Sequence, residues 1–139
     1  MAPAEILASM KMIFQPGDQK VFVRHVTTAD LVRFQAEILH PVYSTYALGR
    51  DFEWSSRLFF IDMRDADEEG VGAFLEINHK SPAFEGEAVH ITATVEKIEG
   101  NELICSIEAR VEHRIIAIGK TGQKMLKLEK LNQIFRKPA

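Results

Sequence analysis

Apolar and polar residues alternate most regularly in the second half of the chain. Val89, Ile91, Ala93 and Val95 are interleaved with His90, Thr92, Thr94 and Glu96; Leu103, Cys105, Ile107, Ala109 and Val111 are interleaved with Ser106, Glu108, Arg110 and Glu112. A period of two puts the apolar side chains of each run on one side, which predicts two antiparallel strands with one buried face. Glu99, Gly100 and Asn101 between them carry hairpin-turn chemistry. Residues 115–118 and 125–131 predict a last strand, continuous or broken near 119–122, where two glycines fall. Earlier in the chain, Val71, Ala73, Leu75 and Ile77 share a parity that His79 continues, so an imidazole is expected to point where aliphatic side chains point.

A different period governs 44–63. Apolar residues at 48, 52, 59 and 63, joined by the small Ser55 and Ser56, follow the three-to-four spacing of a helix. Thr45, Phe52 and Phe59 fall almost in line. Glu53 lies roughly 80° round the helix from Thr45, in line with Tyr46 and Phe60, at about 100° per residue. Two apolar stripes predict a helix wrapped by a sheet or shared with a partner chain, with Glu53 poorly solvated.

The remaining segments frame these elements. Residues 1–18 read as a flexible lead-in closed by the turn cluster Pro16-Gly17-Asp18, and 20–26 as a first strand. Thr27 and Asp30 can cap a short helical or lid-like segment running to Leu39, ended by Pro41. Residues 64–69 are charged enough to predict a solvated turn. Strand, long helix and then antiparallel strands make an α+β domain, a sheet wrapped around one long central helix, over 19–139.

Composition narrows the function classes. A length of 139 residues with 46% hydrophobic composition suits one domain with a real core. Net charge of −3 and a pI near 6.0 give no reason to expect nucleic acid or an anionic membrane as partner. No run approaches the roughly 18 apolar residues of a membrane helix, and the N-terminus lacks the pattern of a signal peptide, so a cytoplasmic protein is expected. Cys105 is the only cysteine, and its parity marks it as a small core residue.

The chemistry resides in three polar residues set among apolar ones: Thr45, Glu53 and His79. Taken singly, each fits a structural role, as a helix cap, a surface carboxylate and a core histidine. A carboxylate and an imidazole aimed into one apolar space would instead perturb each other's pKa, the situation from which general acids and bases arise. They lack a third ligand at zinc spacing, so no metal is expected.

The ordered pattern Thr45, Glu53-Trp54, Gly72 and His79 resembles the fluoroacetyl-CoA-thioesterase-like branch of the hot-dog-fold thioesterases. Val23-Arg24-His25, the stretch 85–94, Glu99-Gly100 and 128–132 extend the likeness. In that family a threonine, a glutamate and a histidine act together on an acyl-CoA thioester, and a glycine seven residues before the histidine offers its N–H to the thioester oxygen. The resemblance therefore implies a hot-dog fold, with Thr45, Glu53 and His79 as catalytic residues and Gly72 at the oxyanion. One departure stands out: the family's last strand reads Gly-x-His-x-Arg, whereas this chain has Gly119-Lys-Thr121-Gly-Gln123.

Hydrolysis of a small acyl-CoA thioester is the leading expectation. Glu53 would attack the carbonyl or activate water, His79 would carry protons, Thr45 would orient one of them, and the Gly72 N–H would face the developing oxyanion. Coenzyme A enters as part of the substrate, with no separate cofactor. Lys80, Lys120, Lys124 and Arg50 are candidates for its phosphates. A homodimer is expected, with a dimer of dimers as the larger alternative. The competing readings are a hot-dog acyl-CoA hydratase or dehydratase, and a non-catalytic acyl-CoA binding module.

Overall fold

The structure, a computed structural model, describes residues 8–138. In chain order it has β1 (Gln19–His25), a 3-10 turn (Thr28–Asp30), β2 (Leu31–Phe34), β3 (Glu37–Tyr43), α1 (Thr45–Met63), β4 (Glu68–His79), β5 (Ala88–Glu99), β6 (Glu102–Val111), β7 (Arg114–Lys127) and α2 (Leu128–Ile134). Five strands form one antiparallel sheet in the order β1-β5-β6-β7-β4, and β2 and β3 form a separate hairpin. The sheet curls around α1, which is the expected α+β arrangement of a hot-dog fold.

Helix α1 starts where the Ser44 hydroxyl accepts the Ala47 N–H at 2.9 Å, a standard N-cap. Its inward stripe of Leu48, Phe52, Phe59 and Met63 is fully buried against Val89, Ile91, Leu103 and Cys105 of the sheet. Burying each of these large side chains contributes about 1.5–3 kcal/mol. Ser55, also buried, donates back to the Phe52 carbonyl at 2.7 Å, so its hydroxyl is satisfied within the helix.

Asp51 is the one charge on the inward stripe, with its side chain wholly buried. Arg24 of β1 grips it with two hydrogen bonds of 3.1 and 2.8 Å, Arg50 adds two of 3.0 Å, and the Tyr43 hydroxyl donates a fifth at 2.5 Å. Burial pushes the Asp51 carboxyl up, and these donors outweigh it and hold its pKa below the ordinary carboxylate value. Arg50 also reaches buried Asp30 at 2.8 Å, so β1, the 3-10 turn and the start of α1 are held at one point.

The fold departs from the sequence expectation in several places. Thr27 and Asp30 do form a capping box, but it closes a single turn, and 31–43 make a hairpin instead of a helix. The alternation of Leu31 to Phe34 with the β-branched Ile38 and Val42 favours strands, and Pro41 is tolerated because it falls in the register shift between His40 and Tyr43, where no β2 residue pairs with it. Strand β7 runs unbroken through Gly119 and Gly122, and 128–134 are helical. At Gly119 a side chain would collide with the Glu76 carbonyl, so this glycine permits pairing with β4 and does not interrupt β7. The charged turn buries Glu68, which accepts from the Ser9 and Asp65 N–H groups at 2.5 and 2.9 Å, so only its neighbours are solvated.

Residues 8–18 of the expected lead-in run along the core; 1–7 lie outside the described residues. The Lys11 N–H donates to the Met63 carbonyl at 2.7 Å, and the Phe14 ring stands edge-on to Phe59 with centroids 5.0 Å apart.

Strand β4 differs most from its expected face. A bulge between Gly72 and Phe74 reverses the alternation, so Gly70 and Gly72 before it, and Leu75, Ile77 and His79 after it, turn toward α1. Val71 and Ala73 do not share that face. A Cβ at Gly70 would run into the ring of fully buried Phe60, whereas one at Gly72 would meet only the Glu53 carboxylate at 3.6 Å. Gly70→Ala should therefore lower unfolding free energy by about 1–3 kcal/mol through overpacking, read as a shift in denaturant midpoint. Gly72→Ala should leave that midpoint unchanged or slightly raised.

Candidate active site

The sequence-predicted residues come together in two pairs. Thr45, the first residue of α1, and His79, the last of β4, share a hydrogen bond of 2.9 Å between the hydroxyl and Nδ1. Glu53, two turns further along α1, faces Gly72 across the bulge. Eight residues of helix separate Thr45 from Glu53, a rise of about 12 Å. Within one chain Gly49, packed against Leu75 and Ile77, lies between the pairs.

His79 is half-buried, and its Nε2 is fully buried with no hydrogen-bond partner among the described residues. Burial disfavours the charged imidazolium and lowers the His79 pKa, against a smaller upward pull from the Ser81 backbone. Burial thus favours the neutral imidazole, the form that can accept a proton.

Glu53 is exposed in the single chain, contrary to the poorly solvated position expected of it, and Tyr46 beside it is 89% exposed. The reason is that the second stripe of α1 packs only on an edge strand. Glu53, Gly72, Gly70, Trp54 and Gln123 line a cavity of about 270 Å³, with Arg50 and Arg57 on its rim. Both arginines are engaged: Arg50 by Asp51 and Asp30, Arg57 by Glu69 at 2.8 Å.

Thr121 and Gln123 stand where the family resemblance calls for histidine and arginine. Both are buried on the α1 side of β7. Gln123 donates from Nε2 to the Ser56 hydroxyl at 2.6 Å, while the Thr121 hydroxyl has no partner among the described residues. Neither Asp51 nor Gln123 was singled out as functional by sequence pattern, although both lie in register with core positions, Asp51 with Leu48 and Ser55, Gln123 with Met125.

The other candidates are dispersed. Lys80 is exposed beside His79. Lys120 reaches Glu96 at 3.0 Å on the sheet face turned away from α1, and Lys124 shares that parity. Cys105 is a core residue whose thiol is pushed up to about 12 by burial. Among the described residues no group of three or more His, Cys, Asp or Glu is placed to hold a metal ion.

The family model described as fluoroacetyl-CoA-specific thioesterase matches residues 26–129. The chain belongs to that family. Its fold superposes on a thioesterase-superfamily protein of Thermus thermophilus, TTHA0967, with a TM-score of 0.83 and 34% identity over 87% of this chain and 90% of that one. The fluoroacetyl-CoA thioesterase FlK gives 0.82 and 20% identity over 90% and 98%. A hot-dog-like protein from Thermanaerovibrio acidaminovorans gives 0.79 and 24% over 87% and 90%. No curated protein matches the chain. Family and fold are those of hot-dog acyl-CoA thioesterases, and this chain is an enzyme of that class.

Because its pKa is depressed on folding, His79 releases a proton that the unfolded chain holds. Its contribution to stability is complete above the unfolded value of about 6.5 and is lost as pH falls through the lower folded value. An NMR titration of the His79 ring should give a midpoint below 6.5. A midpoint above it would mean that a carboxylate, and not burial, governs this imidazole.

Proposed function

We propose that this thioesterase hydrolyses a short acyl-CoA ester with the Thr45–His79 pair and the Glu53–Gly72 pair working on opposite sides of the thioester. The observation carrying this reading is the empty space in front of the Glu53 carboxylate, kept open by Gly72 and walled by Trp54 and Gln123. A space of about 270 Å³ admits a small acyl group. Glu53 supplies the attack, as carboxylate nucleophile or as base on water. The Gly72 N–H stabilises the oxyanion, and neutral His79, oriented by Thr45, moves the proton that the leaving thiolate needs.

The two pairs belong to one site if two chains share it. Strand β4 is paired on one side only and presents Phe74 and Leu75 at 44% and 40% exposure, a bare apolar edge suited to a copy of itself. Gly72 and His79 lie at matching distances from the Leu75–Glu76 peptide. A two-fold axis there, with antiparallel β4 edges, would bring Gly72 and Glu53 of one chain to Thr45 and His79 of the other. The exposed α1 residues Tyr46 and Trp54 would be covered in the same dimer. Lys80, next to His79, is the cation best situated for a coenzyme A phosphate. No helix among the described residues is long and apolar enough to cross a membrane, and a cytoplasmic enzyme is part of the same proposal.

The test is thiol release from short, branched and aromatic acyl-CoAs. Glu53→Gln and His79→Ala should each lower turnover by about 10²-fold or more. Gly72→Ala keeps its N–H but puts a methyl in the space before Glu53, and should lower turnover by about 10²-fold at unchanged stability by displacing the substrate. Mixing Thr45→Ala with Glu53→Gln subunits should restore about a quarter to half of wild-type activity, as one site in the mixed dimer is intact. No recovery, with subunit exchange demonstrated, would place all four residues in one chain's site.

A further inference from the structure

Gln123 is an unusual residue to find on the inward face of a sheet. Its side chain is buried, and it pairs in register with Gly72, the residue facing the Glu53 carboxylate. The amide is also fixed in orientation. The Ser56 hydroxyl donates to the Glu53 carbonyl of its own helix at 3.1 Å, so its oxygen is free to accept, and the Gln123 Nε2 donates to it at 2.6 Å. That leaves Oε1 as the free end, and it accepts no hydrogen bond from the described residues. Gln123 lines the same cavity as Glu53 and Gly72.

Two acceptors thus border one small space: an amide oxygen without a partner and a carboxylate. The two arginines that line the same space bond to Asp30, Asp51 and Glu69, and neither donates to Gln123 or Glu53 among the described residues. A water molecule matches this arrangement, since it has two protons to give and a lone pair left for attack.

We propose that Gln123 holds the attacking water against Glu53, which makes Glu53 a general base and not a nucleophile. The inference rests on the reading of Glu53 given above and decides between its two forms. One water proton passes to the Glu53 carboxylate while the other stays on the water oxygen, hydrogen-bonded to Gln123 Oε1. The oxygen forms its bond to the thioester carbon, the carbonyl electrons move to the oxyanion, and collapse of the tetrahedral adduct breaks the C–S bond. His79 of the other chain in the shared site takes up that proton from Glu53 and gives it to the thiolate, so the products are acid and free thiol and both groups end as they began.

Gln123→Met keeps the length of the side chain and removes the acceptor. It should lower kcat by about 10²-fold, as a misplaced reactant does, with KM within threefold of wild type. Hydroxylamine, a stronger nucleophile that depends less on a base, provides the second readout: the ratio of acyl hydroxamate to free acid should rise in Gln123→Met. Ser56→Ala frees the amide to turn and should show the same pattern to a smaller extent, with the melting temperature of each variant as the control for folding. Wild-type kcat in Gln123→Met, or a loss of kcat with an unchanged hydroxamate ratio, would overturn the proposal while leaving Glu53 as the attacking group. A wild-type enzyme that releases no thiol from any ester would overturn the reading of Glu53 itself, and this one with it.

Discussion

The site depends on how closely α1 can approach the edge strand β4. Helix and strand meet through Gly49 on one side and Gly70 on the other, positions where a side chain would crowd Leu75 or the Phe60 ring. At Gly70 the buried Phe60 ring occupies the space a side chain would need; at Gly72 the corresponding space is left in front of a carboxylate. The same closeness that completes the core at one end of the seam leaves a cavity beside Glu53 a few residues later. Thr45 and His79, at the far end, can hydrogen-bond only because the seam fixes the start of the helix against the end of the strand.

A buried polar cluster holds that geometry from behind. Asp51 with Arg24, Arg50 and Tyr43 is costly to desolvate, and a hydrophobic replacement of similar shape could be as stable. What the cluster adds is direction. It joins β1, the turn at Asp30 and the first two turns of α1, and the Asp30 carbonyl takes the Ser44 N–H at the helix start. The end of α1 that carries Thr45 is thereby set by charge pairs with definite geometry, whereas its other end is set by aromatic packing through Phe59 and Phe60.

Much of this was legible in the sequence because it follows from simple periods. The alternation in β5 and β6, the turn at Gly100 and the extent of α1 all agree with the structure. The hairpin at 31–43 was hidden by a genuine helix-start signal, Thr27 with Asp30, whose capping box serves one turn and then stops. Glu68 read as solvent-facing because a run of charges says nothing about which member turns inward to collect backbone N–H groups. The pairing of Thr45 with His79 could not be derived from spacing, since it joins opposite ends of two elements. Glu53 shows the reverse limit: a stripe on a helix predicts that something covers it, but not whether the cover belongs to the same chain.

The bulge at Ala73 has a consequence for how chains of this kind are compared. In a regular strand, residues an even number apart face the same way, so Gly72 and His79, seven apart, belong on opposite faces. Both face α1 here because one residue has been added to the strand between them. An odd interval between two residues that must point together is thus a written record of an irregular backbone. A related chain with a six- or eight-residue interval would reach the same geometry with a straight strand, and an alignment that inserts a gap there would be reporting the loss of a kink and not the loss of a residue's role.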